Sequence, residues 1–231
     1  MNAKVTFERI ESEYRRLGYN LNWGFLTCPR DKFIDPKVLL VGLNPGGGRG
    51  DGDDPTWKRQ KIFSQEEGNS YLVENWGEHD SDRGHADLQL QIQGLCKFIG
   101  LDIADLASAN FVPFQSPSWR ELRRQAEALA FARELWRDLV SEIQPELVIG
   151  LGQQVGQELA RLFGVDRLNV INSGWGAIKI RFGDTRSGGR LVVLPHLSRY
   201  RLFNHDGSEN RYSAGLKVAF GLGSGALEAA E

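Results

Sequence analysis

Four polar segments in this chain of 231 residues each follow a short apolar run of the kind that forms a buried strand. Two of them carry a carboxamide, Asn44 in GLNPGGG and Asn110 in ANFVPF, and a carboxamide offers both a donor and an acceptor to a polar ring. A third, GLGQQVG at 150–156, is rich in glycine, which lets backbone N–H groups approach a ligand closely. The fourth, LPHLSRYRLF at 194–203, carries His196, which can exchange a proton near neutral pH. Together they predict a site that works by hydrogen bonding and polarisation.

The apolar runs that precede these segments predict the strands that must position them. Their continuous apolar character indicates strands buried on both faces, as in a parallel sheet covered by helices. The sequence therefore predicts an α/β fold with three layers, α/β/α, around a central, mainly parallel four-stranded sheet. Ligands of such sheets bind beyond the carboxyl ends of the strands. The predicted strands cover 37–42, 106–114, 146–150 and 191–194, and the predicted helices cover 6–17, 65–74, 86–99, 119–143, 153–163 and 213–222.

Two further apolar runs, 168–171 and 177–182, lie before the last predicted strand. The second of them and the run 191–194 flank GDTRSGG, a turn-rich spacer that predicts a β-hairpin. The pairing of the 168–182 segment is left open by the sequence. In the long helix predicted next to Pro145, Ser118 is the expected N-cap.

The composition narrows the classes of protein to which the chain can belong. A net charge of -2, with 41% hydrophobic and 25% charged residues, is ordinary for a folded domain and argues against a strongly basic nucleic-acid coat. The two cysteines, Cys28 and Cys96, form no CxxC pair, so we expect buried thiols in a reducing cytosol. No apolar run approaches the ~20 residues of a membrane span, and the N-terminus lacks the apolar core of a secretory signal. We expect a cytoplasmic protein with one domain at 1–222 and a flexible tail at 223–231, without cofactor, metal or membrane contact.

The order of the four segments resembles the uracil-DNA glycosylase superfamily. GLNPG is similar to the first motif of its mismatch-specific and single-strand-selective branches, and LPHLSRYRLF stands where those enzymes carry a His-Pro-Ser-type or Asn-Pro-Ser-type second motif. The resemblance covers residues 37 to about 220. Leu197 replaces the proline that usually follows the histidine, and Asn44 stands where the most active branch has aspartate. The resemblance implies hydrolysis of the N-glycosidic bond of uracil, or of a related deaminated base, flipped out of DNA.

The resemblance also implies roles for individual side chains. His196 would donate to the O2 atom of the base as negative charge develops there, assisted by backbone N–H groups at Leu43 and Asn44. Asn44 would position the attacking water through its amide oxygen, and because an amide is a poorer base than a carboxylate, modest turnover is expected. Asn110 would read the Watson–Crick edge of the base.

A basic stretch surrounds the last predicted strand. Residues 179–211 hold seven Lys and Arg against three Asp and Glu, a net charge of +4, which leaves -6 for the rest of the chain. This asymmetry predicts a DNA-facing patch on an acidic body. The partner expected from the resemblance is DNA that carries uracil or a damaged or mismatched base, bound by a monomer. The loop expected to enter the duplex and fill the vacated space consists of Ser198, Arg199, Tyr200, Arg201 and Leu202.

Three points remain open from the sequence. The aromatic side chain that stacks on the flipped base is Trp57 or Phe63, both in the polar excursion at 49–86. A protein of the same fold could also bind nucleic acid or a nucleobase without cutting it. A small-nucleotide-binding α/β protein could use the glycines at 150–156, a near-miss of the dinucleotide fingerprint that a close-packed strand–helix corner also explains.

Overall fold

A mixed β-sheet organises the fold. The computed structural model describes residues 5–46, 68–76, 83–174, 176–203 and 213–222. The strands are β1 (Val38–Gly42), β2 (Ala107–Asn110), β3 (Leu147–Leu151), β4 (Asn169–Asn172), β5 (Lys179–Asp184) and β6 (Arg190–Leu194). Within the described residues they form one six-stranded sheet in the order β2-β1-β3-β6-β5-β4. The first four in that order run parallel, whereas β5 is antiparallel to both of its neighbours.

The predicted α/β class is confirmed, but the predicted four-stranded sheet is wrong because two antiparallel strands extend it. β5 and β6 form the predicted hairpin, from the pair Asp184↔Arg190 to the pair Arg181↔Val193. β4 adds to the outer side of β5, where it is a sheet edge with mostly exposed residues. The apolar runs at 168–171 and 177–182 are interrupted by polar residues, as is typical of strands buried on one face only, so they lack the continuous apolar character of the parallel strands.

Helices cover both faces of the sheet, so the predicted three-layer arrangement is present. They are α1 (Phe7–Leu17), α2 (Ser70–Val73), α3 (Asp87–Ile99), α4 (Gln125–Val140), α5 (Gln153–Leu162) and α6 (Ser213–Phe220). α1, α4 and α5 share one hydrophobic cluster with Leu39 and Val41 of β1. α3 and α6 share a second hydrophobic cluster with Leu40 of β1. Leu40 lies between Leu39 and Val41 in the strand and faces the other side, because successive side chains of a strand point to opposite faces. The predicted thiols Cys28 and Cys96 are free and buried, and no described helix is long and apolar enough to span a bilayer.

The helix predicted over 119–143 is interrupted near its start. A 3-10 turn occupies Trp119–Glu121, Arg124 adopts a left-handed conformation with φ of 52°, and α4 begins only at Gln125. The carbonyl of Trp119 accepts from the side-chain amide of Gln125 at 2.6 Å. This side-chain donor takes the place of the backbone N–H, four residues on, that would donate to the carbonyl in a regular helix. Ser118 occupies the N-cap position of the 3-10 turn rather than of a long helix, and its hydroxyl donates to the carboxylate of Glu121 at 2.6 Å without a capping bond to the backbone.

The outer edge of β2 is closed by the segment 23–28, which runs antiparallel to it. The N–H of Thr27 donates to Ser108 at 3.0 Å, and the N–H of Asn110 donates to Phe25 at 2.7 Å. An uncovered strand edge offers unpaired backbone groups to other chains. The segment satisfies those groups and holds the end of β2 in place.

The close contact between α5 and β6 depends on glycine at position 156. A Cβ atom at Gly156 would lie 2.3 Å from Cγ1 of Val193, so the helix lies against the sheet with no room for a side chain. We expect Gly156→Ala to lower the free energy of unfolding by about 1–3 kcal/mol through overpacking, despite the better helix propensity of alanine. Adding Val193→Ala should recover part of the loss, and urea unfolding measures both. A neutral effect of Gly156→Ala alone would show that the two layers can separate freely.

Candidate functional site

The carboxyl ends of four parallel strands lie at one level and form the edge at which three predicted site residues, Asn44, Asn110 and His196, are placed. Asn110 is the register partner of Gly42 on β1, and Leu151 on β3 is the partner of Leu194 on β6. Val41 pairs with Gly150, so Gly42 and Leu151 share a level as well. Asn44 and His196 each follow two residues beyond that row. With strands about 4.8 Å apart, two strand spacings separate them, so roughly 10 Å lies between the two chain positions.

The order of the strands reverses in the middle of this edge. α3, which follows β1, packs on the face of Leu40, whereas α5, which follows β3, packs on the opposite face with Val41. The crevice between two such strands is where ligands of open α/β sheets bind. Gly152, with φ of 100°, makes the sharp turn into α5. The N-terminus of the helix, with its partial positive charge, therefore lies at this edge of the sheet.

Asn44 holds the loop after β1 through its amide nitrogen. Nδ2 donates to Oγ of Ser116 at 2.9 Å, to the carbonyl of Phe114 at 3.3 Å and to that of Pro45 at 3.1 Å. Two carbonyls can only accept, so the nitrogen must be the amide atom that faces them. No described residue donates to Oδ1 of Asn44, so this half-buried side chain keeps its acceptor for another group.

Asn110 is also tied to the fold, but less completely. Its Nδ2 donates to the carbonyl of Gly24 at 3.1 Å, which joins β2 to the segment along its edge. Oδ1 of Asn110 lies 3.3 Å from the position that a Cβ at Gly42 would take, so glycine at position 42 leaves room for the amide. An amide nitrogen carries two hydrogens. Asn110 therefore retains one donor and its oxygen.

His196 is half-buried just beyond β6. The carbonyl of Leu194, two residues earlier, accepts from the N–H of Gly152 at 2.8 Å, which ties the end of β6 to the start of α5. Nδ1 of His196 and Oγ of Ser198 are 2.7 Å apart. Burial, and secondly the positive charge of Arg199, lower the pKa of His196 below 6.5. The imidazole is therefore neutral at pH 7, and when Ser198 donates to Nδ1 the ring proton is on Nε2.

The loop from His196 to Phe203 is fastened to α3. Gln91, only 2% exposed, accepts from the N–H of Phe203 at 2.8 Å and donates from Nε2 to the carbonyl of the same residue. Arg201 donates to both carboxylate oxygens of Asp87 at 2.8 and 2.9 Å. The ion pair is 57% exposed on both sides and contributes at most about 1 kcal/mol. The buried amide is the firmer attachment, because a lost bond would leave polar groups unsatisfied in the interior.

The loop does not present all five residues predicted to contact DNA. Leu202 is 2% exposed and belongs to the hydrophobic cluster under α3 and α6. Withdrawing such a side chain from the core costs about 1.5–3 kcal/mol, so this conformation does not offer Leu202 for insertion into a duplex. Arg201 is engaged by Asp87. Ser198 and Arg199 are exposed and Tyr200 is half-buried, so these three form the accessible tip of the loop.

Of the remaining predicted base-binding residues, the structure describes Leu43 but neither of the two candidate stacking aromatics. Leu43 is half-buried against the core, and its carbonyl accepts from Val112 at 2.8 Å, so it joins the ends of β1 and β2. Trp57 and Phe63 lie outside the described residues. Trp76, which the sequence reasoning did not select, is 40% exposed and donates from Nε1 to Glu74 at 2.7 Å. The sequence feature that could have identified Trp76 is an aromatic residue in the polar excursion at 49–86.

Two of the three glycines at 150–156 serve packing, and the third, Gly152, makes the turn into α5. A Cβ at Gly150 would touch Leu159 at 3.0 Å, and Gly156 lies directly against Val193. This observation explains the glycines without a nucleotide. A cleft of about 330 Å³ lies at the opposite edge, lined by 144–146 and 187–189, away from the predicted site residues. Among the described residues, no group of three His, Cys, Asp or Glu side chains is arranged to hold a metal ion.

Comparison with known proteins gives only distant likenesses in structure. No protein-family model and no curated protein matches the chain. Among solved structures, it is similar to a domain of unknown function (DUF1537) from Bordetella bronchiseptica, crystallised with bound citrate as a domain-swapped dimer. The two share 13% identity with a TM-score of 0.34 over 83% of this chain and 42% of the other. The chain thus spans less than half the length of that protein.

The attachment of the His196 loop to α3 can be tested with a matched pair of variants. Gln91→Met keeps the volume of the side chain but loses both bonds to Phe203. Gln93→Met loses the comparable bonds from Nε2 of Gln93 to Tyr71 at 3.0 Å and to Gly84 at 2.7 Å. We expect both variants to be destabilised by about 1–3 kcal/mol. Only Gln91→Met should also accelerate hydrogen exchange at the Phe203 amide, by about tenfold or more, and equal exchange in both would contradict the attachment.

The protonation of His196 provides a second test. The chain has 4 histidines, so comparison with His196→Gln assigns the resonance in an NMR titration. We expect a midpoint below 6.5 that rises in Arg199→Ala, because a nearby positive charge is removed. Since the folded pKa lies below the unfolded value of about 6.5, His196 contributes fully to stability above that pH, and the contribution is lost as the pH falls toward the folded pKa. A midpoint at or above 6.5 would contradict the burial of the ring.

Proposed function

We propose that this protein is a DNA glycosylase that hydrolyses the N-glycosidic bond of uracil, or of a related deaminated base, in DNA. The observation that supports this most is the set of polar groups at the carboxyl edge: Asn110 ends β2 at the level of Gly42, and Asn44 and His196 each follow two residues beyond the ends of β1 and β6. The gap of roughly 10 Å between Asn44 and His196 is too long for a direct hydrogen bond and suits a ligand bound between them.

Asn44 positions the water in this proposal. Its amide nitrogen is fully occupied by the loop, so Oδ1 is the atom that accepts a hydrogen bond from the attacking water. The water oxygen bonds to C1′ of the sugar as the bond from C1′ to the base breaks. The electron pair of that bond leaves with the base, which takes a proton from solvent, and the water proton is lost to solvent. An amide accepts a proton poorly, so a slow enzyme is expected.

His196 stabilises the departing base. Negative charge grows on the O2 atom of uracil as the bond breaks, and a donor held in place for that atom lowers the barrier. The neutral imidazole, oriented by Ser198 2.7 Å from Nδ1, offers Nε2–H for this role. The N-terminus of α5 adds partial positive charge at the same edge. Neither group needs to change its charge before the reaction.

Recognition involves groups on both sides of the crevice. Asn110 offers its remaining N–H and its oxygen to the edge of the base, a pattern that a pyrimidine with adjacent N–H and C=O groups complements. The exposed tip of the β6 loop, Ser198 to Tyr200, contacts the DNA strand beside the flipped nucleotide. Because Leu202 is buried, Arg199 or Tyr200 would fill the space that the base vacates.

The proposal predicts measurable excision of uracil. Purified protein incubated with single- and double-stranded oligonucleotides that carry uracil or a mismatched base should generate abasic sites, detected as strand breaks after alkali. Asn44→Ala and His196→Ala should each reduce the rate by about 10²–10³, because each removes one group that acts on the transition state. No activity above these variants on any substrate would refute the enzyme and leave a binding protein of this fold as the alternative.

Two further variants separate chemistry from loop structure. Ser116→Ala removes the 2.9 Å partner of Nδ2 but keeps the oxygen of Asn44, so it should lose less activity than Asn44→Ala. Asn44→Asp places a carboxylate oxygen against the carbonyls of Phe114 and Pro45. We expect this variant to be less stable and no faster, since like-charged oxygens repel. Thermal unfolding of every variant identifies those that fail merely because they do not fold.

A further inference from the structure

The hairpin that extends the sheet leaves one face open. Arg181 on β5 pairs with Val170 on β4 and with Val193 on β6. Because cross-strand partners point to the same face, these three side chains lie on one side of the sheet. α6 packs on the other side, where Gly215 approaches Ile171. α5 covers Val193 but lies over β3 and β6. Val170 is 54% exposed, so among the described residues this face is open at β4, whereas the segment at 165–167 covers it at Gly183.

This open face is basic. Lys179 and Arg181 lie on it along β5, and two more arginines border it. A Cβ at Gly164 would touch the guanidinium of Arg186 at 3.0 Å, and the carbonyl of Arg167 lies against Gly183. We call Arg167, Lys179, Arg181 and Arg186 the hairpin strip.

The charges of the hairpin strip are not neutralised by the described residues. Lys179 contacts only the neutral side-chain oxygen of Asn172, and none of the four forms an ion pair with a described carboxylate. Two of the nearby acids are otherwise engaged, since Asp184 pairs with Arg190 and Glu158 pairs with Arg133 and Arg161. Asp166 is the exposed acid beside the strip. Unpaired cations that share one surface attract a polyanion from solution.

The strip leads to the candidate site. Arg181 is level with Val193, so Lys179, two residues earlier on an antiparallel strand, lies one level beyond Leu194, beside the start of the His196 loop. Side chains two residues apart on a strand are about 6.8 Å apart, so the cations form a line along β5 rather than a cluster. Arg199 at the exposed loop tip continues the positive charge at that edge.

We propose that the hairpin strip binds the phosphate backbone of the nucleic-acid strand that enters the site. The identity of the ligand, a nucleic acid, rests on the proposed function. A linear polyanion that ends at the carboxyl edge matches both the line of cations and the polar groups at that edge. The strip contributes phosphate contacts without sequence preference and holds the strand beside the crevice while one base is extruded. It adds a contact surface, on the open sheet face, to the loop tip at Ser198–Tyr200.

The test is the salt dependence of binding to DNA that carries no lesion. Fluorescently labelled single-stranded and duplex oligonucleotides of identical sequence are titrated with wild-type protein and with the double variant Lys179→Ala/Arg181→Ala. The titrations are repeated at NaCl concentrations between about 50 and 200 mM. Loss of two phosphate contacts should reduce the slope of log affinity against log salt by about 1.4 for the single strand or about 1.8 for the duplex. Affinity at low salt should fall about tenfold or more.

A matched control removes the same charge elsewhere. Lys37 and Lys97 are exposed, form no ion pair with a described residue, and lie away from the strip, before β1 and in the last turn of α3. Lys37→Ala/Lys97→Ala should therefore keep the wild-type slope. If the strip variant and this control behave alike, the strip is not a phosphate surface. If polyglutamate of equal charge competes as well as DNA and depends equally on the strip, the surface serves an acidic protein instead, which also overturns the proposal.

The excision assay separates the two proposals. Cleavage of uracil by a wild type whose DNA binding is indifferent to Lys179 and Arg181 refutes the strip and leaves the enzyme. Strip-dependent binding without cleavage refutes the enzyme and leaves the strip. A wild type that binds no DNA at the lowest salt refutes the strip whatever the excision assay shows.

Discussion

The parallel register of four strands is the constraint on which the site depends. Backbone hydrogen bonds align Asn110 with Gly42 and Leu151 with Leu194, so residues that are more than 40 positions apart in the chain emerge at one level. A shift of two residues in any ladder would preserve every buried face but move a functional group by about 7 Å. The glycines at 42, 150 and 156 make the register compatible with close packing, because a side chain at any of them would meet a neighbour within 3.3 Å.

Buried or half-buried amides then convert aligned strands into fixed loops. Asn44 fastens the turn after β1 to the segment after β2, and Gln91 fastens the end of the His196 loop to α3. Amides suit this task because one side chain both donates and accepts, so it can satisfy a peptide group completely in the interior. The same bonds limit function, since the amide nitrogen of Asn44 is committed to structure and its oxygen alone remains for a ligand.

The sequence predicted those helices and strands whose apolar residues form an uninterrupted pattern. The parallel strands and the helices at 86–99 and 153–163 were predicted to within a few residues, because each is buried along a face or on both faces. The prediction failed where tertiary contacts competed with local pattern. Gln125 takes the carbonyl of Trp119 and interrupts the long helix, and β4 owes its place to the edge of β5 rather than to its own mostly exposed residues.

The same distinction applies to the site. By itself the sequence determined which polar groups follow which strands, since apolar runs that end in Asn44, Asn110 and His196 are local features. Only the tertiary structure decided which atoms of those groups remain available and which of their neighbours are accessible. Leu202 shows this most clearly, because it follows three basic or aromatic residues in a loop whose tip is exposed and yet is itself 2% exposed beneath α3 and α6. Burial depends on what the rest of the chain places over a residue, and that information is not contained in the residues beside it.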